Sequence, residues 1–219
     1  GELLGIIHAG SAPVPGIQIL GMVMQVVSLI VPRLDLLAQH PRQKAVLELA
    51  ANKAGWGQPL SPAPDGAHKA RGIALHESFG SLVAQVAEVS VDAQDTIRVH
   101  RVVCAIDCGL AVNPNTIAQQ VESSVVYGLS AALYGRIDIE QGRVKQSNFH
   151  DYPVMRMADM PKVETIVMPS GGFWGGVGEP TIFVAAPAVL NAIFAATGSA
   201  IPAATRASCV TACWWAWTR

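Results

Sequence analysis

The sequence predicts an α+β fold, mixed sheets with packed helices, on three observations. Hydrophobic residues make up 51% of the chain against 14% charged, a balance that buries a core and argues against disorder. Apolar residues recur at helical spacing in some stretches and alternate at strand spacing in others. Twenty Gly and 14 Pro among 219 residues supply the tight turns that alternating helices and strands need. A chain of this length holds one or two domains.

Residues 1–33 include the apolar run "GIQILGMVMQVVSLIV", Gly16 to Val31. Interrupted by Gln18, Gln25 and Ser28, it is shorter than the ~20 apolar residues of a membrane span, which disfavours a membrane. A membrane-associated binding module is an alternative that rests on this run alone. Residues 34–71 come next. Leu34 to Gly55 predicts a surface helix, with Val46, Leu47, Leu49, Ala50 and Ala54 on its apolar face, Pro41 opening its second part and Gly55 closing it. The stretch 56–71, "WGQPLSPAPDGAHKAR", reads as a Pro-rich linker or exposed loop.

At Gly72 the texture changes, and residues 72–198 form the main unit. Val83, Gln85, Ala87 and Val89 alternate with Ala84, Val86, Glu88 and Ser90, predicting a strand that exposes polar groups. "IRVHRVVCAIDCG" is a second strand, paired with the first as an antiparallel hairpin across Asp92 to Thr96. Asn113 caps a helix with Pro114 at its first position and Ile117, Val121, Val125, Leu129 and Leu133 along one stripe. Residues 135–146 predict a short hairpin turning at Gln141-Gly142. A strand follows at Val163 to Val167, then a helix from Ala185 to Thr197 with Gly198 as its C-cap.

Several functions are disfavoured. A net charge of −1 leaves no basic surface for phosphate contacts, so nucleic acid is not a predicted partner. The cysteines fall as Cys104/Cys108 and Cys209/Cys213. Cys104 lies in an apolar strand-like run, which favours reduced, buried thiols over zinc ligation or disulfides. No Gly-x-Ser-x-Gly elbow occurs and no His stands beside an obvious nucleophile.

The stretch "GGFWGGVGEP", residues 171–180, packs glycines ahead of a single carboxylate, Glu179. Such a loop suits an anion cradle, but a carboxylate there repels an anion. A Glu in the first turn of a helix is in the simplest case a dipole partner worth about 0.3–1 kcal/mol. Phe173, Trp174, Val177, Ile182 and Phe183 nearby instead predict desolvation, which raises a carboxyl pKa toward that of a general base. Gln120 is either a solvated helix residue or an amide that bonds the edge of a heterocycle, with small Ser123 and Ser124 allowing close approach. His150-Asp151 is either a loop hydrogen-bond cluster or a substrate contact. A lone candidate base with no nucleophile and no metal-ligand cluster predicts that a cofactor carries the difficult chemistry.

Together, "IDCGLAVNPNTIAQQVESSVVYGLSAAL", "QSNFHDYPVMRM" and "GGVGEP" followed by "APAVLNAIFAATG" resemble the C-terminal part of the molybdopterin-binding large subunit of the xanthine dehydrogenase/aldehyde oxidase family of molybdenum hydroxylases. "HPRQKAVLELAANKAGWG" and "GIALHESFGSLVAQVAEVSV" are most similar to its isoquinoline 1-oxidoreductase beta-subunit branch, and the likeness covers residues 34–198. The resemblance implies hydroxylation of an N-heterocyclic aromatic or an aldehyde with oxygen from water, with Glu179 of the Gly-Glu-Pro motif as the base. It implies further that Gln120 contacts the molybdenum–molybdopterin cofactor and that Gly178 lines the metal pocket, the glycines letting the backbone approach the metal centre. Electrons would leave for 2Fe-2S clusters on a separate small subunit. Cytoplasmic and periplasmic locations both fit.

The sequence departs from the family pattern at Ser123-Ser124, where Gly-Gly is common, which predicts crowding of the cofactor and weakens the case for Gln120. It departs again at Thr181, Ile182 and Phe183, which replace the branch's Gly-Thr-Pro-Pro. Residues 1–33 and 199–219 match nothing in the branch, an expectation of reading-frame slips at both ends; an unbroken frame in resequenced source DNA refutes it. The chain reads as a fragment, with other cofactor loops upstream and no turnover expected of it alone. The alternative is a non-catalytic remnant that keeps the fold.

Overall fold

The computed structural model describes residues 37–63 and 66–198. A four-stranded mixed sheet forms its centre, in the order β1-β2-β3-β6. Strands β1 (His68–Ser78), β2 (Ser81–Val91) and β3 (Ile97–Asp107) run antiparallel to their neighbours, and β6 (Lys162–Val167) pairs parallel with β3. A separate ribbon, β4 (Ile139–Glu140) and β5 (Arg143–Val144), turns at Gln141-Gly142 as the sequence predicts.

Helices cover both faces of the sheet. Helix α1 (Pro41–Ala54) starts at Pro41, which was expected to open only the second part of a helix from Leu34, and Gly55 ends it in the left-handed conformation, φ 67°. Val46, Leu47 and Ala50 of α1 pack on Ile73, Leu75, Leu82, Ala84, Val86, Val103 and Ala105. These are alternate positions of β1, β2 and β3, so they share one face. The opposite face carries α2 (Pro114–Leu129) and α3 (Ile182–Thr197). There Ile117, Val121, Val125, Val184, Ala188 and Ala192 meet Ala74, Val83, Ala87, Val102, Cys104 and Ile106. Asn113 caps α2 as predicted, its Oδ1 accepting from the N–H groups of Asn115 and Thr116 at 3.0 and 3.2 Å.

Three readings of the sequence need correction. The linker ends sooner than expected, because β1 begins at His68. Strand β1 also pairs with β2 through a tight turn at Phe79-Gly80, both at positive φ (50° and 76°). β2 does not expose its polar residues in turn: it is the second strand of a sheet covered on both faces, and every residue in it is buried. The last helix starts at Ile182, three residues ahead of the predicted start at Ala185, and contains Pro187. The hairpin across Asp92–Thr96 forms as predicted, with Asp92 Oδ1 accepting from Gln94 and Thr96 N–H at 2.9 and 2.8 Å.

Charges are paired in a row across the strands, with buried Glu88 among them. Glu88 accepts from Arg71 at 3.0 Å and from Arg101 at 3.3 Å, and Arg101 reaches Glu164 at 2.9 Å. Arg71 also donates to the Gly55 and Gln58 carbonyls just past α1. The pairing satisfies Glu88 where burial alone would penalise its charge.

Candidate functional site

After β6 the chain crosses the ends of the strands before it enters α3. Ser170 Oγ donates to the buried Asp107 carboxylate at 2.6 Å, and Gly175 N–H donates to Cys108 O at 2.8 Å. Gly176 N–H donates to Phe79 O at 2.8 Å. A Cβ on Gly175 would overlap Ser81 Oγ and stand 2.7 Å from the Gly80 carbonyl carbon. Gly175 and Gly176 therefore serve close approach to the β1–β2 turn, a correction to the expectation that the loop's glycines all serve approach to a metal centre.

Asp107 holds the start of this loop and was not singled out from sequence. It is fully buried and takes a two-point contact from Arg42 of α1, with Nε at 2.9 Å and the terminal nitrogen at 2.8 Å. Burial pushes its carboxyl up, but the Ser170 hydroxyl, the Gly109 N–H and Arg42 together outweigh burial and hold the pKa below the usual carboxylate range. A group depressed in the fold stabilises above its unfolded pKa, about 3.9, and that contribution is lost as pH falls through the folded value. The expected result is a wild-type melting temperature that falls on acidification below about pH 4. Asp107→Asn should melt lower at pH 7 and show a shallower fall with acid, measured by thermal melts across pH.

The three predicted site residues come together at one edge. Gln120, on the second turn of α2, is exposed, and its Oε1 lies 3.4 Å from where a Cβ on Gly178 would stand. Ser124, one helical turn further on, is buried and donates from Oγ to the Gly178 carbonyl at 2.5 Å. Ser124 thus faces the loop, which corrects the expectation that it crowds the cofactor side, while Ser123 is exposed. Glu179 follows at the entrance to α3. Its side chain is exposed and makes no hydrogen bond or ion pair among the described residues.

The expected apolar shell around Glu179 is not what the chain builds. Phe173 and Trp174 are 82% and 57% exposed and stack on each other, ring centres 4.8 Å apart. Val177, Ile182 and Phe183 are only half-buried. His150 lies 3.6 Å from Asp151, whose carboxylate accepts from Ser147 and Asn148 N–H at 2.9 Å each. This is the loop cluster rather than a contact reaching out of its own turn. Cys104 and Cys108 are buried free thiols, and burial pushes Cys104 up to about 12. Cys209, Cys213 and the apolar run 16–31 lie outside the described residues. Among the described residues no helix is long and apolar enough to cross a membrane.

The donor set fits a heterocyclic cofactor better than a bare ion. Gln120 offers an exposed amide with both donor and acceptor capacity beside a backbone stretch, Gly178, that carries no side chain to block approach. Among the described residues no three His, Cys, Asp or Glu side chains gather where they could hold a metal directly. Sequence reasoning missed Ser81 and Gln85, which also hold the loop. Gln85 Nε2 donates to Thr181 O at 3.0 Å, and Ser81 Oγ to Gly176 O at 2.6 Å. Polar residues inside a largely apolar strand were the available signal.

A sequence model described as the molybdopterin cofactor-binding domain matches residues 48–161. The chain is 34% identical over 76% of its length to isoquinoline 1-oxidoreductase subunit beta of Brevundimonas diminuta, covering 21% of that protein. It is 30% identical over 72% of its length to a membrane-bound aldehyde dehydrogenase of Gluconacetobacter polyoxogenes whose name carries pyrroloquinoline quinone, covering 20% of it. It thus spans about one fifth of the length of these curated relatives. The crystal structure of quinoline 2-oxidoreductase from Pseudomonas putida 86 superposes with a TM-score of 0.50 at 21% identity, over 54% of this chain and 16% of that one. That likeness shows the fold, and it agrees with the α+β class read from the sequence. With the family model matching more than half of its residues, the chain belongs to the molybdopterin cofactor-binding domain family.

Proposed function

We propose that the chain is the part of a molybdenum hydroxylase subunit that carries the catalytic base. The whole enzyme would hydroxylate an N-heterocyclic aromatic of the isoquinoline kind, or an aldehyde, with oxygen from water. The observation that carries this reading is the convergence of Gln120, Gly178 and Glu179 on one exposed edge between α2 and α3. When bound, the molybdenum–molybdopterin group supplies the two-electron redox chemistry. The residues of this chain bind and move a proton. The Gln120 amide and the open backbone at Gly178 hold a heterocycle edge, and the Glu179 carboxylate, unpaired with any cation among the described residues, has oxygens to accept a proton. The Ser124 bond to Gly178 fixes the backbone next to that carboxylate. Electrons would pass to 2Fe-2S clusters on a small partner subunit.

The names of the relatives support both substrate classes, isoquinoline in one and aldehyde in the other. Metal and cofactor analysis of the full-length subunit copurified with its small partner tests the reading. We expect molybdenum in the large subunit and iron in the partner, with Gln120→Ala lowering molybdenum content severalfold. Pyrroloquinoline quinone in place of molybdenum would overturn the assignment. A subunit with neither group would support the alternative of a non-catalytic piece that keeps the fold.

A further inference from the structure

The segment carrying Glu179 is held by three buried side chains, two of them on β2 and not used by the proposed reaction. Ser81 and Gln85 of β2 and Ser124 of α2 donate to the carbonyls of Gly176, Thr181 and Gly178, at 2.6, 3.0 and 2.5 Å. Ser81 and Gln85 have no exposed surface and Ser124 only 2%. The three carbonyls bracket Glu179 at three positions before, one before and two after it. Two different elements, a sheet strand and a helix, thus fix the backbone on both sides of a side chain that is itself unbonded among the described residues.

Gln85 is the most telling of the three. It stands among Ala and Val on a fully buried strand, directly opposite Cys104 of β3. Its Oε1 is buried with no partner among the described residues, a cost that an apolar side chain of the same size avoids. Thr181, the N-cap of α3, accepts the first bond of its own helix whether or not Gln85 is present. Stability alone therefore gives little reason for an amide at this position. Its bond does tie the start of α3 to the centre of the sheet, two residues from Glu179.

We infer that Gln85 and Ser124, assisted by Ser81, are positioning residues that clamp the Gly176–Thr181 backbone and thereby set where the Glu179 carboxylate stands. This rests on the reading of Glu179 as the base. A base must reach its proton within hydrogen-bond distance, so a shift near 1 Å in its backbone is costly to rate and cheap to binding.

The test uses the full-length subunit with its partner. Gln85→Met keeps the volume and removes the donor; Ser124→Ala removes the other. Each is expected to lower kcat by about 10-fold to 100-fold with KM and molybdenum content unchanged. Ser124→Thr, which keeps a hydroxyl, should recover most of the loss seen in Ser124→Ala. In cofactor-free subunit, hydrogen exchange over residues 176–183 should quicken roughly tenfold in both donor-less variants, a readout independent of turnover. If Gln85→Met fails to fold, seen as lost melting cooperativity, Ser124→Ala on the separate helix decides. Unchanged kcat and exchange, with Glu179→Gln inactive in the same assay, would overturn the clamp and leave the base standing. An active Glu179→Gln would overturn the base reading and the clamp together.

Discussion

If Glu179 is the base proposed above, Glu179→Gln is expected to lower the proposed hydroxylation by about 10²-fold to 10⁴-fold, the contribution of a general base, while molybdenum content stays at the wild-type level. Glutamine preserves the size and hydrogen-bonding reach of the side chain but has no oxygen that takes up a proton near neutral pH. Cofactor retention should survive because the amide of Gln120 and the backbone at Gly178 are untouched, and Ser124 still anchors the Gly178 carbonyl. The loss should fall on kcat, and KM should change little, because the proton is taken only as the reaction proceeds. A control with the opposite signature is Gln120→Ala, where molybdenum falls and the remaining loaded molecules turn over near the normal rate. A Glu179→Gln enzyme with full molybdenum and a wild-type kcat would assign the base to another group.

The helices were legible in the sequence because punctuation marks their ends in chemistry that does not depend on the rest of the fold. Pro41 and Gly55 bound α1, Asn113-Pro114 open α2, and Gly198 at φ 68° closes α3. Strand β1 was not legible. Its hairpin turns at Phe79-Gly80, with an aromatic residue at positive φ, where the usual signal is Asn-Gly or Asp-Gly. β2 misled for a related reason. Alternation of polar and apolar residues predicts one wet face, but both faces of this sheet carry helices. Gln85, Glu88 and Ser90 are polar because they meet a carbonyl, two arginines and a histidine.

The site divides along the same line. Gln120, Gly178 and Glu179 were singled out from the sequence, and the chain places Gln120 against Gly178, next to Glu179. What surrounds Glu179 was misread because sequence neighbours were counted as spatial ones. Phe173 and Trp174 precede it closely but face outward. Ser81 and Gln85 lie about a hundred residues upstream and hold its backbone. Long-range tethers of this kind show locally only as polar residues in a largely apolar strand, and only the register of β2 against the sheet aims them at the loop.

The second large effect is expected at Gly72, far from Glu179 in sequence. Gly72 lies on the edge strand β1, opposite Ala87 of β2. A Cβ there would overlap Ala188 O and Ala192 N of α3 and stand 2.8 Å from the Asn191 carbonyl carbon. These are backbone atoms, so no rotamer change relieves the clash and the helix as a whole must move. Asn191 Nδ2 also donates to Ile73 O at 2.9 Å, so lifting α3 strips a partner from an edge-strand carbonyl. Gly72→Ala should destabilise by about 3 kcal/mol, the upper part of the usual range for overpacking, and lower the melting temperature by several degrees. Gly172→Ala, where an added Cβ meets only Ser170 Oγ at 3.7 Å, should leave melting unchanged. Because α3 begins just after Glu179, the same displacement should also reduce kcat in whatever Gly72→Ala protein remains folded and loaded with molybdenum. An unshifted melting curve for Gly72→Ala would mean that α3 does not rest on β1 as closely as the fold described here requires.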